Sequence, residues 1–440
     1  MTDTVVIGAG VAGLTAARLL QAAGRSVVVL EARERIGGRL HTDRSDGHVT
    51  DLGASWIHGV ADNPLAEATS AFGMPTVEFT VGSFQPDSRP IAYFGPDGTR
   101  LSDAEAHAFA DDIRAVDRVL ADVIEAAGPD ASYRDVTESA LAQQTWDAAR
   151  TERVREFLQH RTEEQYGAWI ADLASHGLDD DTVDGDEVVF PEGYDRLAAH
   201  LAAGLDVRLT HPVSRVGWSE DAVTVTTPHG RMTASTAVIT LPVGVLQSDE
   251  FTIEPPLPAA VAGALSRLKM NAFEKVVLRF ENRFWDAGVY AIRQQGAEGA
   301  WWHSWYDLTA IDGTPSLLTF AAGPAAHGIR DWPKERVAAS VMAQLRRLYG
   351  AEVPEPVRVD VTAWQDDPFA RGAYAFMTVG SATSDHDALA TPVGGVLHLA
   401  GEATWTDDPA TVTGAMMSGH RAASRIAGQP IPIARLWADR

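Results

Sequence analysis

The sequence predicts an α/β protein of two domains. One is Rossmann-like and assembled from discontinuous segments; the other is an α+β domain built from the stretches between them. Three observations predict this. The first forty residues hold a βαβ unit, TVVIGAGVAGLTAARLLQAAGRSVVVLEA. Residues 396–427 read as a strand, a tight turn and a Gly/Ala-rich helix. Between them, 103–172 has helical spacing and good helix formers, whereas 273–305 reads as strands rich in aromatics. At 440 residues the chain is long enough for two cores.

In the βαβ unit, Gly8, Gly10 and Gly13 form G-x-G-x-x-G where strand becomes helix. Gly8 permits the tight turn, Gly10 lets a pyrophosphate approach the backbone, and Gly13 lets helix and strand pack closely. The phosphates would sit on the helix N-terminus, where free N–H groups and the helix dipole favour an anion. Glu31 ends the second strand, placed to bind a ribose diol, and an acid there disfavours NADP. The motif alone does not separate FAD from NAD.

Composition narrows the classes. A net charge of −24 argues against a nucleic-acid partner and suits solubility or the steering of cationic substrates. No run of eighteen uncharged apolar residues exists, so no membrane span is expected. The N-terminus MTDTVVIGAG carries an acid in place of a basic n-region, and a cytoplasmic location is expected. Zero cysteines exclude disulfides, thiolate metal sites and a cofactor tethered through cysteine sulfur. Only Lys269, Lys275 and Lys334 of the 36 basic residues are lysines, which singles out any lysine in a motif.

EARERIGGRLHT, beginning at Glu31, resembles an extension found in the flavin-containing amine oxidase family. That resemblance implies that Arg33, Gly38 and Arg39 lie around the diphosphate of FAD, where guanidiniums make charge-assisted forked bonds. VLHLAGEATWTDDPATVTGAMMSGHRAASRIA (396–427) resembles the C-terminal FAD motif of the same family, including its lysine-specific histone demethylases. By that likeness Gly401 and Glu402 meet the ribityl or phosphate region, and Thr411 and Val412 lie near the pyrimidine end of the flavin. PEGYDRLAAHLAAG (191–204) and 213–246 resemble the middle FAD segment, with the backbone of Val213 at the adenine. The resemblance covers essentially the whole chain. It divides the chain into an FAD domain (1–80, 187–255, 380–430), a substrate domain (81–186, 256–379) and a C-terminal tail (431–440).

The resemblance also implies where the chemistry sits. Lys275, in LKMNAFEKVVLRFENRFW, matches the family lysine that holds a water beside flavin N5. WQDDPFARGAY resembles the segment bringing aromatics to the flavin, with Trp364 beside the cofactor and Tyr374 as one wall of an aromatic cage. The opposite wall, a tyrosine in many relatives, is Thr411. Ala373 stands where the monoamine oxidases carry the tethering cysteine, so FAD is expected to be non-covalent. DLGASWIHG followed by VADNPL resembles polyamine oxidases most closely. Gly53, Ala54, Ser55 and Trp56 would line the flavin ring, and His58 would face the substrate.

The implied reaction is oxidation of an amine C–N bond by hydride transfer to flavin N5. The imine is hydrolysed to aldehyde plus amine, and O2 is reduced to hydrogen peroxide. A polyamine or diamine is the expected substrate. Some polyamine oxidases grip a distal ammonium with an acid in the helical region, where the best-matching position here is Ala168; Glu163 and Glu164 nearby read as solvated helix charges. An L-amino-acid, monoamine or alkaloid-type oxidase is the alternative, with Arg293 or Arg371 as carboxylate partners. A histone demethylase is not expected, since no added N-terminal domain or coiled-coil insertion is seen. A flavin-binding redox sensor would need neither Lys275 nor His58. The cluster WWHSWYDL (301–308) fits an aromatic tunnel or a core. The oligomeric state is not specified.

Overall fold

The computed structural model describes residues 2–80, 90–176 and 183–438. The chain forms two compact units. The first comprises Met1–Thr80, Asp180–Met270 and Asp366–Arg440, and the second Val81–Asp179 and Asn271–Gln365.

The first unit is built on the predicted βαβ. Strand β1 (Thr2–Ile7), helix α1 (Val11–Ala22) and strand β2 (Val27–Leu30) follow one another, and β1 pairs in parallel with β2. The sheet extends through β2 to Asp206–Arg208 and through β1 to the long strand Gly230–Ile239. That strand is shared. Its first half pairs antiparallel with Val223–Thr227, and its second half runs parallel to both β1 and Leu397–Leu399. Three distant stretches are thus joined in one sheet, because each supplies a short buried run: residues 5–7, 237–239 and 397–399. The helix Val412–Ala427 packs on α1; a Cβ on Gly419 would stand 2.2 Å from the Ala12 carbonyl oxygen, so only glycine allows that approach.

The second unit has a six-stranded sheet. Its strand order is Arg358–Val361, Phe273–Arg279, Ser316–Ala322, Ser304–Asp307, Ala291–Gln294 and Ile91–Phe94. The predicted helical stretch forms Asp103–Ala126, Tyr133–Ala142 and Ala148–Tyr166. Ser102 with Glu105 and Ser132 with Asp135 start the first two as capping boxes, and Gly167 in the left-handed region ends the third.

Residues 256–270, 366–379 and the C-terminal tail group with the first unit, unlike the boundaries expected from sequence. The physical reason is local. Leu268–Met270 pairs antiparallel with Ala375–Met377, Gln247 donates to the carbonyls of Leu265 and Leu268, and Arg267 pairs with the buried Asp385.

Candidate active site

The glycine loop is shaped as its spacing predicts. Gly8 has φ +104, and a Cβ on Gly13 would lie 2.0 Å from the Gly8 carbonyl oxygen. A Cβ on Gly10, by contrast, would meet no protein atom within 4 Å. The N-terminus of α1 has no side chain capping it and no acid in its first turn. Glu31 is buried beside this loop, its Oε2 accepting from Ala9 N–H at 2.7 Å and its Oε1 from Arg33 N–H at 2.9 Å. An uncapped helix start, an unobstructed glycine and a fixed acid are the donor set of a dinucleotide site.

Arginines then tie distant motifs to this loop. Arg39 donates to Glu402 Oε1 at 2.7 Å and to the Ala373 carbonyl at 3.0 Å. The other oxygen of Glu402 accepts from Ala375 N–H at 3.4 Å, so the residues on both sides of Tyr374 are anchored to one ion pair. Arg33, expected at a diphosphate, has protein partners of its own. It forks onto Asp367 at 2.7 and 2.6 Å and lies over Phe369. Burial raises the Asp367 carboxyl, but the hydrogen bonds and charge of Arg33 hold it below its ordinary value. Thr411 likewise has local duties: its hydroxyl accepts from Gly414 N–H at 2.9 Å and donates to the Asp408 carbonyl at 2.8 Å, opening the helix that Val412 begins. Gly401 N–H is held by Ser418 at 2.8 Å, and Val213 is a half-buried loop residue ahead of the strand Arg215–Trp218.

DLGASWIHG lies across the same unit. Ala54 N–H donates to the Arg39 carbonyl at 3.1 Å, with Gly53 packed against that oxygen and Ser55 leading into the strand Trp56–Ile57. The Trp56 ring donates to the Phe79 carbonyl at 3.1 Å. The strand pairs antiparallel with Val188–Val189, Ile57 opposite Val188. His58 and Glu187, next in line, hydrogen-bond through Nδ1 and Oε1. The His58 side chain is 50% exposed, the Glu187 side chain 4%. Sequence reasoning missed Glu187; an acid opening a β-branched run, EVVF, was the available signal.

In the second unit, Lys275 is buried on Phe273–Arg279, its strand neighbour across the sheet being Phe320. The strand is fixed from below by Glu274, whose buried carboxylate accepts from the backbone of Trp364 and Gln365 and from the Thr362 hydroxyl. Trp364 is therefore placed by this acid.

The Phe320 ring lines a small cavity with His160, Glu163, Glu164, Trp301, His303 and Ser304. Glu163 and Glu164 are not solvated helix charges. Glu163 is buried, accepts from Gln159 at 3.1 Å and lies 3.7 Å from His160, while Glu164 accepts from the Tyr306 hydroxyl at 2.6 Å. Burial raises the Glu164 carboxyl, against the opposing charge of Arg293. Burial pushes His303 well below its ordinary value, helped by His160 and Arg293, so its ring is neutral at pH 7. WWHSWYDL serves two purposes: Trp302 and Trp305 are in the core, whereas Trp301, His303 and Ser304 face the cavity. Arg293 is buried against Tyr306 and Glu164, and Arg371 pairs with Glu250 at 3.0 Å. Ala168 is buried, its backbone against Gly323.

The first unit is thus a dinucleotide-binding α/β fold. A family model described as flavin containing amine oxidoreductase matches residues 11–427. Polyamine oxidase 2 of Arabidopsis thaliana is 32% identical over 439 residues, 96% of this chain and 87% of its own. Lysine-specific histone demethylase 1 homolog 3 of Oryza sativa subsp. japonica is 31% identical over 441 residues, 96% of this chain; the chain spans about half, 53%, of that relative. A solved putrescine oxidase bound to putrescine shares the fold, with a TM-score of 0.79 over 97% of this chain and 99% of its own at 24% identity. The chain belongs to the flavin-containing amine oxidoreductase family. The cofactor of that family is FAD, and the uncapped helix start, Gly10 and Glu31 fit it.

Proposed function

We propose that the protein is an FAD-dependent oxidase of a di- or polyamine. The observation that carries this reading is His58, a half-exposed imidazole fixed by a buried carboxylate immediately after the Gly53–Trp56 run. When bound, FAD supplies a two-electron acceptor for the hydride of the carbon beside the amine nitrogen, and O2 carries the electrons on to hydrogen peroxide.

The residues of the chain do the rest. Gly8, Gly10, Gly13 and Glu31 would hold the dinucleotide, Gly53, Ala54, Ser55 and Trp56 would line the flavin ring, and Tyr374 would wall the amine side. An alkylammonium has no lone pair to drive hydride loss, so it must first lose a proton, and Nε2 of His58 is the acceptor. Lys275 is assigned the water that hydrolyses the imine to aldehyde plus amine. With Ala373 at the position of the tether and no cysteine in the chain, FAD is held without a covalent bond.

Within the second unit, the small cavity lined by Glu163, Glu164 and Trp301 has the acids and aromatic wall that suit an ammonium. Against an amino-acid substrate, Arg293 is engaged with Tyr306 and Glu164, and Arg371 with Glu250. Oxygen uptake and peroxide yield with putrescine, spermidine, a monoamine, an L-amino acid and a methyl-lysine peptide test the reading. Putrescine or spermidine should give one peroxide per oxygen consumed. Turnover of only the amino acid or the peptide would contradict it.

A further inference from the structure

The sheet in which His58 sits puts an acid behind it. Trp56–Ile57 and Val77–Glu78 flank Val188–Val189 on its two sides, so Glu187 lies between two strand ends. Its backbone is pinned there: Phe79 N–H donates to the Glu187 carbonyl at 2.8 Å, and Glu187 N–H donates to the Thr80 hydroxyl at 3.3 Å. The loop beyond His58 is fixed to the same segment, Val60 N–H donating to the Asp186 carbonyl and Ala61 N–H to that of Asp184. Of the other acids there, Glu78 turns its carboxylate to Thr80, accepting from that backbone N–H at 3.0 Å. Among the described acids, Glu187 is the one seen to hydrogen-bond the imidazole. Trp56 lies nearly parallel to that ring, 15° between planes with centroids 6.5 Å apart.

We infer that Glu187 is the positioning residue of the amine-oxidation site, holding the proton of His58 on Nδ1 so that Nε2 presents its lone pair to the substrate ammonium. The inference rests on the amine-oxidase reading above. A carboxylate that accepts from one ring nitrogen leaves the other as the acceptor, and it stabilises the imidazolium formed when that nitrogen takes a proton. The step balances. One N–H bond of the ammonium breaks, one Nε2–H bond forms, and the positive charge passes to a ring already paired with Glu187. The burial of Glu187 strengthens the pairing, since water has little access to its carboxylate. The ligand class this selects is a primary or secondary ammonium, which has an N–H to give; a quaternary ammonium has none.

The test uses the FAD-loaded full chain with Glu187→Gln and Glu187→Leu, each alone and combined with His58→Ala, and with His58→Ala by itself. Nitrogen-15 spectra of histidine-labelled protein read the His58 tautomer without any turnover, the His58→Ala spectrum identifying its signals. The expected result is an Nδ1–H ring in the wild type and a shifted or mixed tautomer in Glu187→Leu. The value of kcat/KM for putrescine should fall about tenfold or more in Glu187→Leu and less in Glu187→Gln, whose amide oxygen still accepts. In the His58→Ala background either change should cost little. Visible spectra and melting of the FAD-loaded variants separate misfolding from this effect, and Glu187→Gln keeps the shape if the leucine variant fails to fold. An Nε2–H wild-type ring, or losses that add fully to those of His58→Ala, would overturn the assignment while amine turnover by the wild type left the oxidase reading standing. A wild type that oxidises no amine would remove the oxidase reading and this inference with it.

Discussion

Arg39 and Glu402 are 363 residues apart in sequence, yet form a 2.7 Å ion pair at the junction of the first and last dinucleotide motifs. Glu402 is almost fully buried, and Arg39 also holds the Ala373 carbonyl. The pair therefore fixes how the C-terminal turn and the WQDDPFARGAY segment meet the glycine loop. Glu402→Ala should lower stability by about 2 kcal/mol, because a half-buried guanidinium loses its charged partner. Chemical denaturation followed by tryptophan fluorescence measures this; an unchanged midpoint would show that the pair is dispensable.

Gly10 and Gly13 should fail in different ways. A methyl on Gly13 collides with the Gly8 carbonyl oxygen, whereas one on Gly10 meets no protein atom within 4 Å. Gly13→Ala should destabilise the FAD-free protein. Gly10→Val should leave the melting of the FAD-free protein near wild type while weakening FAD binding about 10- to 100-fold, the loss of one or two charge-assisted contacts. FAD titration alongside melting separates the two, and equal melting losses would contradict the assignment.

His398 predicts a pH dependence. It is buried on the strand Leu397–Leu399, and burial, with the charge of Arg425, lowers its pKa from the ordinary 6.5 to about 4. Its folded value lies below its unfolded value, so the unfolded chain takes up the proton first. Stability is present above pH 6.5 and is lost as pH falls toward 4, by about 3 kcal/mol in all. The depressed carboxyls of Asp367 and Asp385 act lower, below their ordinary 3.8. Denaturation curves between pH 7 and 4 should show the slope, and His398→Leu should flatten it.

Lys275→Met replaces a buried ammonium with an apolar chain of similar length. Bound FAD should be retained, while reoxidation of the reduced enzyme by O2 slows about tenfold or more. Stopped-flow mixing of reduced enzyme with oxygenated buffer measures it. An unchanged rate would remove Lys275 from the mechanism.

Most of what was legible in the sequence depends on local chemistry. G-x-G-x-x-G and the acid at the end of β2 lie within one βαβ unit, so spacing alone discloses them. What stayed hidden depends on partners far along the chain. Glu187 gains its meaning from a histidine 129 residues earlier, and Asp367 takes Arg33 from 334 residues away. Glu163 and Glu164 read as a polar helix face, and only the packing of Tyr306, Arg293 and His160 around them makes that face interior. The boundary at 256–270 was misplaced because the strand Leu268–Met270 is too short to be read without its partner Ala375–Met377.

The central claim, that this chain oxidises amines at a flavin, is tested most directly by mixing the purified FAD-loaded protein anaerobically with putrescine and following the visible flavin band. Bleaching that saturates with putrescine concentration, and slows at least about tenfold in His58→Ala, is the result expected. A band that persists with putrescine, spermidine and a monoamine alike, in protein whose FAD dithionite can reduce, would contradict the account.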